Sequence, residues 1–248
     1  MKKLLLLALT GLLALPGAYA QAPVASATTE TRSLADFTTI DVTSGIQLTV
    51  RVGEPAGVRV EASTAQFRRM TKTVVTNGVL TVFFDYANEP NWKGLVNSKE
   101  EFKVYVTMPT APQSLLGANG AVINLQNLSA NKLTINLSAG ASVVGAVQTQ
   151  NLALMLRGGT TAHLTGTAAT LNAQVTQGST FDSPKLVAEQ CTALARSAST
   201  VRVAVSKSLA ASSINEARIT YSGARITYSG AGVLVQQVSE QGGTIRHI

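Results

Sequence analysis

The chain has 248 residues, 20 Lys and Arg against 13 Asp and Glu, and 45% hydrophobic but only 5% aromatic residues. That length is ample for a buried core, and that hydrophobicity excludes a disordered chain. One Cys excludes a disulfide framework and any multi-cysteine metal cluster, and two His leave little for a histidine-rich centre, so neither metal nor cofactor is expected.

The first twenty residues have the form of an export signal. Lys2 and Lys3 precede an apolar run from Leu4 to Leu15, Pro16 breaks it, and Ala18-Tyr19-Ala20 is a small-x-small cleavage site. The run is too short to span a bilayer, and no later stretch is longer, so no transmembrane span is expected after processing. Cleavage before Gln21 removes Lys2 and Lys3 and lowers the net charge from +7 to +5. Residues 21–110 hold nine of each sign and 111–248 hold nine basic and four acidic, so the whole excess lies in the C-terminal part. Export makes nucleic acid an unexpected partner for that charge, whereas a glycan or another envelope surface ligand suits it.

Residues 21–33 are small and polar, as in a flexible leader. Residues 34–110 alternate with period two: Ile40 and Val42, then Ile46, Leu48 and Val50, Val58 and Val60, Leu80 and Val82, Val104 and Val106. Such alternation, punctuated at Asn77-Gly78 and Pro109, predicts a region of short β-strands, with only Ser63 to Thr73 resembling a helical turn.

Residues 111–248 repeat. Leu133, Leu152, Leu171, Cys191 and Leu209 recur at nearly equal steps along the chain, the longest and shortest differing by two. Offsets two and four from these positions are mostly apolar, and offset ten carries Val143, Ala162, Phe181, Val201 and Ile219. Offset seven carries Gly140, Gly159 and Gly178, suiting a corner, but then Ala198 and Glu216. A unit of about 20 residues with period-two pieces is too short for a helix and a strand, and suits one turn of a β-solenoid. Equal turn length held in register over five units favours this over an antiparallel sandwich. About seven coils are expected. ARITYSG at 217–223 recurs at 224–230, and the step from Leu209 to Val235 exceeds the usual one by the length of that motif, so one coil carries it as an insertion.

These motifs resemble the autotransporter-adhesin head GIN domain family of exported bacterial proteins. The matching residues are Phe37, Ile40, Val42, Gly45, Ile46, Leu48 and Val50, then Val75, Asn77, Gly78, Leu80 and Val82. Val104, Val106 and Pro109 follow, with the 137–143 stretch and Tyr-Ser-Gly at 221–223 and 228–230. The resemblance covers about residues 34–248. It implies an all-β fold, a right-handed β-solenoid with the N-terminal strands continuous with or capping it, and a cell-envelope location. It brings no catalytic residues.

If offset ten points inward, offsets nine and eleven face solvent. They place a ladder of Thr161, Thr180 and Thr200 beside a strip of His163, Asp182 and Arg202, a candidate binding surface. A hydroxyl, His and Asp on neighbouring coils could also form a hydrolase-like set, but no pocket or nucleophile elbow accompanies them, so no catalytic residue is expected. Trp92, among Asn88, Glu89, Asn91 and Lys93, is a second candidate, for sugar stacking, or else an aromatic plug. Arg157 and Arg196 share offset five and could track an anion. An open last coil would pair with a cap or a second copy, so a homo-oligomer through terminal coils is expected. The expected function is that of an exported, non-enzymatic adhesin or binding module. The alternatives are a periplasmic structural or stress-related interaction protein and, third, an enzyme acting on envelope polysaccharide.

Overall fold

The computed structural model describes residues 29–87, 101–223, 234–240 and 243–248. The signal segment, Trp92 and the second copy of the seven-residue duplication lie outside the described residues. The chain is nearly all β. In order come β1 (Thr29–Arg32), β2 (Thr39–Val42), β3 (Gln47–Val52), β4 (Gly57–Ala62), helix α1 (Ala65–Met70), β5 (Thr71–Thr76), β6 (Val79–Phe84), β7 (Phe102–Met108) and β8 (Ser114–Gly117). Five long strands follow: β9 (Val122–Ser138), β10 (Ser142–Arg157), β11 (Thr161–Thr176), β12 (Thr180–Arg196) and β13 (Thr200–Ile214). The last are β14 (Arg218–Ser222), β15 (Leu234–Glu240) and β16 (Thr244–His247).

The long strands lie parallel, each one turn of a solenoid stacked on the next. Leu133, Leu152, Leu171, Cys191 and Leu209 pair rung to rung, and Val235 pairs Leu209 across the inserted residues. Each strand bends over more than one face, and two buried ladders run through the stack. On what we term the leading face, Leu48, Ile123, Val143, Ala162, Phe181, Val201 and Ile219 are successive rungs, each no more than 1% exposed. On the trailing face Ile40, Leu115, Ile135, Leu154, Ala173 and Ala193 do the same. Rungs ~4.8 Å apart bring like side chains into contact along the axis, which suits aliphatic residues and explains the scarcity of aromatics.

The N-terminal strands extend these ladders in an order the chain does not follow. β2 pairs in parallel with β6 on one side and β8 on the other, and β3 with β7 and β9. The β6–β7 turn therefore lies outside the earlier β2–β3 turn, which it separates from the end of the stack. The solenoid has about five turns, not the seven expected. At the two ends of the repeat, β8 and then β14 to β16 are short separate strands, where the repeat in sequence suggested whole coils. The expected leader also ends early, because Thr29–Arg32 forms β1 and pairs antiparallel with β4.

At one corner of the solenoid, from the β2–β3 winding to the β13–β14 connection, two consecutive residues adopt left-handed backbone: Ser44-Gly45, Asn119-Gly120, Ala139-Gly140, Gly158-Gly159, Gln177-Gly178, Ser197-Ala198 and Asn215-Glu216. Two such residues make the tight turn whose twist matches flanking strands. The corners also bond to each other along the axis. The second corner residue donates its N–H to the first corner residue of the next turn, as in Gly140 to Gly158 at 3.0 Å and Gly178 to Ser197 at 2.9 Å. Ala198 keeps this geometry, donating to Asn215 at 2.9 Å, with φ of 56° at a residue that carries a Cβ.

The N-terminal end is closed by a cap. The strand β5 makes an Asn77-Gly78 hairpin with β6, and β1 and β4 run antiparallel beside β7. The helix α1 falls within the helical stretch expected from sequence. The Thr64 hydroxyl caps it by accepting the Phe67 N–H at 3.1 Å. Phe67, Met70, Phe84 and Ala62 form a second small core, joined by Phe102. Phe84 and Phe102 rings lie 4.7 Å apart and Phe67 meets Phe102 edge-on at 5.4 Å. Arg32 clasps the cap, donating to the Thr71 carbonyl at 2.7 Å, the Arg68 carbonyl at 3.0 Å and the Glu30 carboxylate at 2.9 Å. The hydrogen bond from Arg32, reinforced by Arg68, holds the Glu30 carboxyl below its ordinary pKa.

Candidate functional site

The strip foreseen on the leading face is assembled. Thr161, Thr180 and Thr200 are consecutive rungs and point outward, half-buried by their neighbours. Asp182 pairs with Arg202 in the next column, and its carboxylate accepts from Arg202 Nε at 2.5 Å and Nη2 at 3.2 Å. His163 is exposed, and its Nδ1 lies 2.9 Å from the backbone carbonyl oxygen of Asp182. Six of the seven candidate residues thus share one surface on three adjacent turns, while Trp92 lies outside the described residues.

The same geometry does not build a hydrolytic triad. The Asp182 carboxylate is engaged by a guanidinium, and the histidine meets the peptide carbonyl and not the acid that would orient it. What the strip offers is a row of hydroxyls beside a neutralised ion pair and an exposed imidazole, with Val144 45% exposed next to it. Such a surface can donate and accept hydrogen bonds over a flat area. Arg157 and Arg196 are both exposed, as a basic track would need, on the trailing face.

Cys191 is buried at the inward position its offset indicates, and desolvation pushes its thiol up to about 12. It is a packing residue. A thiol held protonated in this way is a poor nucleophile.

A second surface was not anticipated. On the outside of the trailing face, Asp41, Leu116, Asn136, Met155 and Gln174 are successive rungs. With Ala118, Ser138, Arg157 and Thr176 they line a hollow of about 490 Å³. Small side chains at Ala118 and Ser138 leave the space, and longer ones at Met155 and Arg157 wall it. Met155 is 47% exposed, on the solvent side where its odd offset from Leu152 places it. Asn136 Oδ1 is buried and meets no hydrogen-bond donor among the described residues. Asp41 is half-buried, and desolvation raises its pKa. The legible signal was apolar Leu116 and Met155 at outward positions. The orphaned amide oxygen and the desolvated acid had none, because both depend on how deep each rung sits.

Among the described residues no three His, Cys, Asp or Glu side chains converge as metal ligands, and no helix is long and apolar enough to cross a membrane. A search of curated proteins finds no match. Solved structures share the fold. One from Bacteroides fragilis NCTC 9343, described as a putative adhesin, superposes with a TM-score of 0.72 at 15% identity, covering 89% of this chain and 96% of that one. A structure from Parabacteroides distasonis ATCC 8503, described as a putative lipid binding protein, gives 0.64 at 15%, covering 90% and 98%. A putative adhesin from Parabacteroides merdae ATCC 43184 gives 0.64 at 16%, covering 89% and 95%. Residues 36–224 match the sequence model described as "Putative auto-transporter adhesin, head GIN domain", which takes in β2 through β14 and both outer surfaces just described, and it is to this family that the chain belongs.

Proposed function

We propose that the protein is an exported, non-enzymatic binding module of the cell envelope that works as an adhesin, meeting its ligand with the outer faces of the solenoid. The observation that carries this reading is how the outward side chains are used. They form hydroxyl rows, and ion pairs between turns such as Asp182 with Arg202 and Lys207 with Glu189, and among the described residues of the strip no nucleophile is set against a base. Family membership supports export, and the form of residues 1–20 supports a cleaved signal. The two ladders keep the outer faces rigid, so binding groups are held at fixed spacing without an ordering cost.

Protease treatment of intact cells tests the reading. Release of the protein with the inner envelope intact is the expected result. Protection until the outer membrane is opened would favour the periplasmic structural or stress-related role. Turnover of envelope polysaccharide that vanishes in a His163→Ala variant would overturn the non-enzymatic reading. Outward Leu116 and Met155, and the description of the Parabacteroides distasonis structure, favour lipid as a second ligand class. Strands β15 and β16 each have one strand partner among the described residues, so their outer edges suit pairing with a second copy. A concentration-independent monomer in light scattering would remove that part.

A further inference from the structure

The hollow on the trailing face gathers groups of opposite hydrogen-bonding sense around an apolar floor. Asp41 and Asn136 Oδ1 are acceptors two rungs apart, about 10 Å, with Leu116 between them. Asn136 Oδ1 is buried without a donor among the described residues, a condition that costs stability unless a bound group relieves it. No Lys or Arg among the described residues pairs with Asp41, and burial alone raises its pKa. Arg157, the donor at the far wall, has no carboxylate partner among the described residues either. The Ser138 hydroxyl lies on a turn between the charges, and the Gln174 amide lies one turn beyond Arg157.

We infer that this hollow is a binding subsite for a neutral oligosaccharide, with sugar hydroxyls donating to Asp41 and Asn136 and accepting from Arg157 while the C–H face of a ring packs on Leu116 and Met155. The inference rests on the binding-module reading above and gives it a ligand class and a place. A hydroxyl both donates and accepts, so one kind of group satisfies every polar atom lining the hollow. An acyl chain would cover Leu116 and Met155 but leave the two acceptors desolvated and unpaired. An anionic sugar would meet Asp41, and a cation would meet Arg157.

The test uses the mature chain on an array of neutral and acidic oligosaccharides, followed by calorimetric titration with the best neutral one. Asp41→Ala and Asn136→Leu are each expected to weaken binding at least tenfold, with Lys185→Ala, exposed and outside the hollow, as control. Thermal melts establish that each variant is folded. In protein carrying ¹³C-methyl methionine, the exposed Met155 methyl signal is expected to shift on titration, and Met155→Leu identifies it. Unchanged affinity in both hollow variants with loss in Thr180→Ala would move the ligand to the leading face, overturning this inference while sparing the broader reading. Binding to phosphatidylethanolamine vesicles with no neutral glycan bound would replace the sugar by a lipid. Binding to neither would also end the inference, whereas the protease experiment on cells decides the adhesin reading independently.

Discussion

At its N-terminal end the stack finishes in antiparallel strands, a short helix and three phenylalanines, with Arg32 tying β1, the helix and β5 together. At its C-terminal end β15 and β16 are laid on β13 and β14 in the same parallel register as every turn before them. The cap is where the repeat is abandoned, and it holds three of the chain's six Phe, with Phe181 alone buried in the ladders. The difference follows from spacing. Within the stack each side chain has a like neighbour ~4.8 Å above and below, so a ring fits only where adjacent rungs are small or flexible. The cap has no such neighbour on its outer side and can pack rings at angles. The two ends should therefore respond differently to loss of their aromatics, charges and turn residues.

Phe181→Ala should give the largest effect, because Ala162 below and Val201 above cannot close over the gap within a fixed rung spacing. A loss of about 3–5 kcal/mol is expected from urea unfolding. Phe67→Ala, in the cap, should cost less, since the helix can settle toward β4 and β6. A cap substitution as costly as the ladder one would break the distinction between a rigid stack and an adaptable plug.

Arg32→Ala comes next. It removes donors to two backbone carbonyls and to Glu30, leaving acceptors in a part-buried cleft, and about 1–3 kcal/mol should be lost. Hydrogen exchange sharpens the result. Amides of β1 and β5 should exchange faster while those of β10 to β12 keep their protection, and uniform acceleration along the stack would show that the cap and the coils unfold as one unit.

Much of the stack was legible because a solenoid converts translation in sequence into translation in space. Any pair one repeat apart that matches in type becomes a rung, and the inward set at offsets zero, two, four and ten is buried as its period indicates. Asn77-Gly78 likewise marked its hairpin. The cap was less legible. The placing of β6–β7 outside β2–β3 depends on parallel pairing between strands that are not neighbours in the chain, and no local periodicity encodes which comes outermost. The leading-face strip was found because it lies next to a buried column whose parity was already fixed. The hollow was missed because a concavity arises from the contrast between small Ala118 and Ser138 and large Met155 and Arg157 in different turns.

The corners test the comparison from the other side. Toward the C-terminal end, Ala198 and Glu216 hold φ of 56° and 60°, where earlier turns place glycine. Left-handed backbone disfavours a Cβ by about 1–2 kcal/mol, and part of that gain is returned as unfolded-state entropy when glycine is introduced. Ala198→Gly and Glu216→Gly should each stabilise by about 0.5–1 kcal/mol, and Gly178→Ala should destabilise by a similar amount. Equal melting temperatures for all three variants would mean that the corners carry no strain and that the later turns are finished as well as the earlier ones.

The smallest expected effect is at Asp41, on the turn that the cap covers. Its rung neighbours are Thr81 and Leu116, and Arg157 is the charged group that shares its hollow. Burial raises its pKa in the folded state, so the native protein holds this proton to higher pH than the unfolded chain does. Stability therefore falls as pH rises through the window between the unfolded and folded values, and the deficit is complete above it. Asp41→Asn removes the charge. It should raise the stability slightly near pH 7, by no more than about 0.5 kcal/mol for a half-buried group still partly solvated, and have no advantage at a pH below the ordinary carboxylate range. Melting curves of the two proteins across pH 3–8 provide the measurement, and an advantage that grows toward low pH would reverse the assigned sign. A carboxylate that costs stability in the folded protein gains a reason to be there if a ligand's hydroxyls replace the water it lost. The Asp41 variant that melts higher is then expected to be the one that binds less.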